Sequence, residues 1–240
     1  MNIFGDVIRW FLDPVHYQGS AGVPNRIIEH LLMSGAALAA SALIALPIAI
    51  LLGHFRRGGA VAINISNIGR AIPSFAILVV AVQLVGIGAK PAFLALVALG
   101  IPPILTNTYI GLSEVSPELR EAARGLGMTG WQLLWRVELP IAAPLIMAGI
   151  RTSAVQVVAT ATLAAEVAWG GLGRFIIDGF SQQDNVQIFA GAVLVALVAT
   201  VTERGLGLVQ KAVTPAGMRA PKRGLGRQAN LASQTGIKAA

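Results

Sequence analysis

The chain contains no cysteine, which excludes disulfides and thiolate metal sites and leaves the redox compartment open. Charge is scarce too: Asp, Glu, Lys and Arg make up 12% of the 240 residues, about half of what a soluble domain carries. The three histidines, His16, His30 and His54, stand far apart and outline no metal cluster. The four lysines follow Ala89, Gln210, Pro221 and Ile237, so no Gly-Lys-Ser/Thr phosphate loop is present and nothing points to catalysis by this chain. The N-terminus does not read as a secretory signal, because no basic stretch leads into a short apolar core and Asp6 and Asp13 interrupt it.

What is abundant is apolar sequence: 55% of residues are hydrophobic and the mean hydropathy is +0.71. That composition predicts one all-α polytopic bundle in lipid. A helix needs about 20 mostly apolar residues to cross a bilayer. Five runs qualify: Leu31 to Gly53, Ala71 to Ala89, Pro91 to Ser113, Leu139 to Ala165 and Asn185 to Thr202, the last extendable past Glu203-Arg204 through 205–210. Pro102-Pro103 should kink the third, and only Arg151 interrupts the fourth. Few runs alternate at period two, which argues against a transmembrane barrel.

The net charge of +7 is explained by topology before nucleic acid. With the N-terminus outside, the inner segments 54–60, 114–138 and 211–240 hold eleven Lys and Arg residues, and the outer segments hold four: Arg9, Arg26, Lys90 and Arg174. The positive-inside rule therefore predicts N-out, C-in. The expected organisation is an extracytoplasmic segment 1–26, a five-span domain 27–213 containing loop 114–138, and a basic, disordered cytoplasmic tail 214–240 lying near anionic headgroups.

Loop 114–138 is the informative stretch. Ser116 suits an N-cap, Pro117 the first helical position and Glu118 the positive end of the helix dipole. Leu119, Ala122, Ala123 and Leu126 then recur at helical spacing. Gly125 and Gly127 can end this helix, and Thr129 with Gln132 forms a capping-box pair opening a second helix that carries Trp131, Leu134 and Trp135. The first helix is expected to expose both Ala122 and Ala123, where another protein's backbone could come close. The same pattern also fits an amphipathic hairpin on the membrane surface, held by its two tryptophans.

Glu121-Ala122-Ala123, three residues, Gly127, nine residues, then Val137-Glu138-Leu139-Pro140 resembles the EAA loop of binding-protein-dependent ABC importer permeases. The resemblance implies a type I importer permease bundle whose loop helix docks in a cleft of a separate ATPase subunit. Glu121, Ala122, Ala123, Gly127, Leu139 and Pro140 would then form the ATPase-coupling element. It further implies that ATP is used by that partner, with no cofactor bound here. The other partners would be a second permease, identical or homologous, an extracytoplasmic substrate-binding protein and membrane lipids, with no nucleic acid. Ile72-Pro73-Ser74, the run 101–112, the run 117–129, Ala148 to Thr152, and Thr160 to Ala165 before 169–173 are similar to the osmoprotectant branch, which imports glycine betaine, choline, carnitine or proline betaine. Glu166 departs from that pattern, standing where an apolar residue is expected, and Trp169 stands where glycine is common.

Polar residues within spans face a passage or glue helices together. The candidates for the translocation path are Thr106, Asn107, Gln156, Thr160, Thr162, Glu166 and Trp169. Glu166 with Trp169 fits a resting place for a quaternary ammonium cation, or a boundary pair in which Glu166 meets Arg174 or the headgroups. Arg151 reads as structural, and Glu203 and Arg204 as interfacial anchors or a packing pair. The competing functions are a permease for another solute such as methionine or a sulfonate, a channel or carrier without an ATPase, and a scaffold with no solute path.

Overall fold

The computed structural model describes residues 3–214 and is helical almost throughout; the expected tail after Thr214 lies outside those residues. The elements are α1 (Ile3–Leu12), α2 (Val23–Phe55), α3 (Gly59–Ala71), α4 (Ser74–Val85), α5 (Ala89–Ser113), α6 (Pro117–Gly125), α7 (Gly130–Leu133), α8 (Leu139–Thr160), α9 (Gly173–Gln182) and α10 (Asn185–Val213). A π turn, Leu134–Glu138, joins α7 to α8, and a 3₁₀ segment, Ala161–Val167, follows α8.

Among the described residues, four helical stretches are long and apolar enough to cross a membrane: Val23–Phe55, Ala89–Ser113, Gly130–Val167 and Asn185–Val213. The expected second span is built differently. Its helix α4 has only 12 residues, about 18 Å of rise against about 30 Å of hydrocarbon. Pro73 lacks an N–H and Ile72 before it is extended, with φ −76° and ψ 124°, which breaks the helix as a pre-proline residue should. In place of one long helix, α3 and α4 are two pieces laid along α5: the Tyr109 hydroxyl stands over Gly59, Pro102 lies beside Gly69, and Ala92, Ala95 and Leu96 line one small cavity with Leu78.

Helix α5 is the centre, with α2 and α8 against it. Ile104 and Leu105 pack on Ala45 and Ala49, while Leu96 and Val97 join Ala37 and Val157 in a second cluster. At Gly100 the three helices meet. Ser41 Oγ donates to the Ala37 and Val97 carbonyls at 2.8 and 3.1 Å, Ser153 Oγ donates to the Gly100 carbonyl at 2.8 Å, and a β-carbon on Gly100 would meet both hydroxyls. Small residues and hydroxyls bring helices together where lipid supplies no hydrophobic drive. At the other end of the sequence, α1 packs on α10 and meets Phe175 of α9 through Trp10, which also stacks on His16 at 4.0 Å. Its other face exposes Phe4, Ile8 and Leu12.

Candidate functional site

Helix α6 starts as its residues dictate: Ser116 caps it by accepting from the Leu119 N–H at 3.2 Å, and Pro117 occupies its first turn. It ends at Gly125, and Gly127 then takes φ +81°, a conformation open to glycine and costly for most other residues. The capping box at Thr129 forms in full, the hydroxyl accepting from the Gln132 N–H at 3.3 Å and the amide oxygen accepting from the Thr129 N–H at 2.9 Å.

Two expectations about this loop need correction. First, α6 does not expose both alanines. Ala122 is exposed and Ala123 is buried, as is Arg120. The outward face is Leu119, Ala122 and Leu126, at i, i+3 and i+7, with Leu126 82% exposed and Glu121 and Arg124 beside it. Second, the loop's other helix is not separate: α7 runs through the π turn into α8 as one stretch. Pro140 has no N–H to offer the preceding turn, and the Leu139 N–H bonds back to the Leu134 carbonyl, five residues away. The Leu139-Pro140 pair thus sits where an α-helical register gives way to a wider turn. Pro140 is exposed and Leu139 packs beside Leu112, Leu134 and Ala142. Trp131 and Trp135 are exposed, edge to face at 5.4 Å.

Beneath α6 lies a network the sequence reading did not anticipate. Glu138 is 0% exposed. Its Oε2 is hydrogen-bonded to His54 Nδ1 at 2.6 Å, and its Oε1 lies 3.1 Å from Arg120 Nη1. Arg120 also donates to the His54 and Leu112 carbonyls at 3.2 and 2.7 Å. Burial pulls the Arg120 guanidinium below its ordinary value, and Glu138 opposes that shift. The sequence signal was present in Glu138 beside the Leu-Pro pair and in Arg120 within α6, but nothing in linear order joins them to His54.

The residues expected to line a path occupy several places on a single chain. Gln156 lines an open groove of about 500 Å³ with Arg151, Thr152, Val155, Glu203 and Gln210. There Arg151 donates to Glu203 at 2.8 Å and to Gln210 at 3.3 Å, and Gln210 donates to the Pro144 carbonyl at 3.1 Å. Glu203 thus pairs across to α8 rather than with Arg204. Thr160 faces a small apolar cavity with Ser74 and Leu78. Thr162 donates to the Ala159 carbonyl at 3.0 Å. Asn107 packs over Gly149 and donates to the Pro103 carbonyl at 2.8 Å, and Thr106 holds a buried hydroxyl beside it.

Glu166 and Trp169 part company. Glu166 is exposed in a groove of about 210 Å³ lined by Phe75, Val79, Gln83 and Ile87, whereas Trp169 packs against the core that holds Met33 and Ala37. Arg174 takes Asp178 at 2.6 Å as its ion-pair partner, not Glu166. The carboxylate that does organise the turn after α8 is Glu29, which accepts from the Gly171 N–H and from Arg26, both at 2.8 Å. Next to it His30 Nε2 donates to the Val158 carbonyl at 2.9 Å.

Residues 45–215 match the family described as the binding-protein-dependent transport system inner membrane component. The glycine betaine/carnitine/choline transport system permease protein OpuCB of Bacillus subtilis is 39% identical over 194 residues, covering 81% of this chain and 89% of that one. The choline transport system permease protein OpuBB of the same organism is 40% identical over 191 residues, covering 80% and 88%. The osmoprotectant import permease protein OsmW of Salmonella typhimurium is 33% identical over 219 residues, covering 89% of this chain and 100% of its own. Among solved structures, a chain of the MetNI methionine ABC transporter in inward-facing conformations superposes with a TM-score of 0.67 at 25% identity, covering 78% of this chain and 94% of that chain.

Proposed function

Because this chain belongs to the family of binding-protein-dependent transport system inner membrane components, we propose that it is the permease of an ATP-driven importer for an osmoprotectant of the quaternary ammonium or betaine type. The observation that carries the ATP-driven part is α6, which presents the apolar stripe Leu119, Ala122 and Leu126 outward between the ends of two spans. An exposed apolar stripe on a loop helix, flanked by Glu121 and Arg124, has the chemistry of a docking face for another protein. Glu121 and Ala122 meet the ATPase, Ala123 seats the helix from beneath, Gly127 sets its angle, and Leu139 with Pro140 passes its position into α8.

The osmoprotectant part draws on what the relatives are named for. The groove beside Glu166 suits such a solute, since an anionic group near Phe75 attracts a cation that has no N–H to donate. Gln156 with Thr152 lines the path deeper in the membrane, Thr160 and Thr162 follow in the chain between the residues of the two grooves, and Asn107, next to Thr106 in sequence, packs α5 on α8 at Gly149. Trp169 braces the outer turn from the core. Two copies, or this chain and a homologue, enclose the passage between ATPase subunits inside and a binding protein outside, with the N-terminus outside and the C-terminus inside. Residues 1–26 then lie outside, 27–213 form the permease and 214–240 the inner tail.

Co-expression with its genomic neighbours, purification and reconstitution into liposomes tests the reading. The expected result is a co-purifying ATPase and ATP-dependent uptake of labelled choline or glycine betaine. Uptake without any ATPase makes the chain a channel or carrier, and ATP-dependent uptake of methionine in place of betaines moves it to another solute.

A further inference from the structure

A carboxylate cut off from water persists only where partners surround it, so the position of Glu138 says what must stay together. The four groups of its network come from four elements. His54 lies in the last turn of α2, Leu112 in the last turn of α5, Arg120 in α6, and Glu138 in the π turn that opens α8. The two carbonyls that receive Arg120 sit at helix C-termini, where the last carbonyls lack helical partners and the dipole favours a cation. The Arg120–Glu138 contact at 3.1 Å is an ion pair not aligned for a hydrogen bond, so the directional bonds of Arg120 go to α2 and α5 and its charge goes to α8. Alongside, Arg56 donates to the Val115 carbonyl at 2.6 Å, tying the end of α2 to the strand of chain that leads into α6.

We propose that Arg120, Glu138 and His54 form the joint through which motion of α6 reaches the spans: they are positioning residues that make α6 and the inner ends of α2, α5 and α8 move as one body. A helix nine residues long, held by its two connections alone, would rock in its loop, and a push on Leu119, Ala122 and Leu126 would be absorbed there. The backbone at Gly127 sets the angle of α6, while the tie to α2, α5 and α8 comes from beneath, through Arg120. The inward face of α6 is Arg120 and Ala123, one residue to bond and one small enough to let the helix settle on the bond. The inference rests on the ATP-driven reading above.

Its test measures ATP hydrolysed per solute imported, in liposomes holding the complete importer with its binding protein. A network that only held the fold together would change the amount of assembled importer and leave that ratio alone. In Glu138→Gln the charge goes and the shape stays. Its ratio is expected to rise about tenfold, with Glu138→Asp remaining within about threefold of wild type, as for coupled groups in contact. His54→Ala, which deletes no permanent charge, is expected to raise the ratio about threefold. Should Glu138→Gln fail to assemble, His54→Ala decides: a raised ratio supports the joint. A ratio within twofold of wild type in every variant that assembles overturns it. Wild-type protein that neither binds an ATPase nor imports refutes the importer reading itself, and the joint falls with it.

Discussion

Ala122 faces outward and Ala123 inward, so adjacent alanines should respond differently to the same enlargement. Ala122→Tyr is expected to abolish uptake and ATPase co-purification while the chain inserts at its normal level. Ala123→Tyr overfills the space under α6, a kind of change that costs about 1–3 kcal/mol, and should lower the amount of stable chain as well. Quantifying inserted chain beside bound ATPase separates the two; equal loss of chain in both variants would contradict the assigned faces. Glu166→Gln belongs to the same scale. It keeps the shape and deletes the charge facing Phe75, so choline uptake should slow by about threefold, as for an exposed cation site, and uptake of zwitterionic betaines by less. Equal uptake of both solutes would leave Glu166 a boundary residue. Periodicity alone did not distinguish Ala122 from Ala123, because Leu119, Ala122, Ala123 and Leu126 all fall on one helical arc. What turned that arc was Arg120, a charged residue that the tertiary network draws inward.

For whole elements, what was legible depended on whether the cause was local. The cap at Ser116, the capping box at Thr129 and the end of α6 near Gly127 follow from short-range chemistry, and all appear in the structure. The break at Ile72-Pro73 was legible in principle, since a proline at that place restricts the residue before it, but hydropathy averaged over 71–89 concealed it. The burial of Glu138 depends on α2 and α5, which linear order does not bring near. The orientation of α6 then depends on the backbone at Gly127. Replacing it with Ala costs about 1–2 kcal/mol at φ +81°, whereas Asn tolerates that region better. Gly127→Ala is therefore expected to impair uptake more than Gly127→Asn does. The reverse order, at matched expression, would mean that side-chain size and not backbone conformation matters there.

Taken whole, the molecule presents a problem of solvation. A groove of about 500 Å³ carrying Arg151, Glu203, Gln156 and Gln210 lies along two of the spanning helices. The Arg151–Glu203 pair is partly open, its side chains 38% and 48% exposed. Such groups are costly against hydrocarbon and are found facing a bundle interior or water, so this side of the chain requires either the second permease or an aqueous passage between the two. The lack of native cysteine makes that choice measurable with single introduced thiols in the assembled importer. Thr152→Cys lies in the groove and is expected to react with a membrane-impermeant thiol reagent, with added solute slowing the reaction. Leu43→Cys, on an exposed apolar face of α2, should react only with a lipid-soluble reagent. The same reagents check direction: applied from outside, the impermeant one should reach Asp184→Cys and not Arg57→Cys. Labelling of Thr152→Cys by the lipid-soluble reagent alone would put the groove against lipid, and the passage would have to be sought on another face of the bundle.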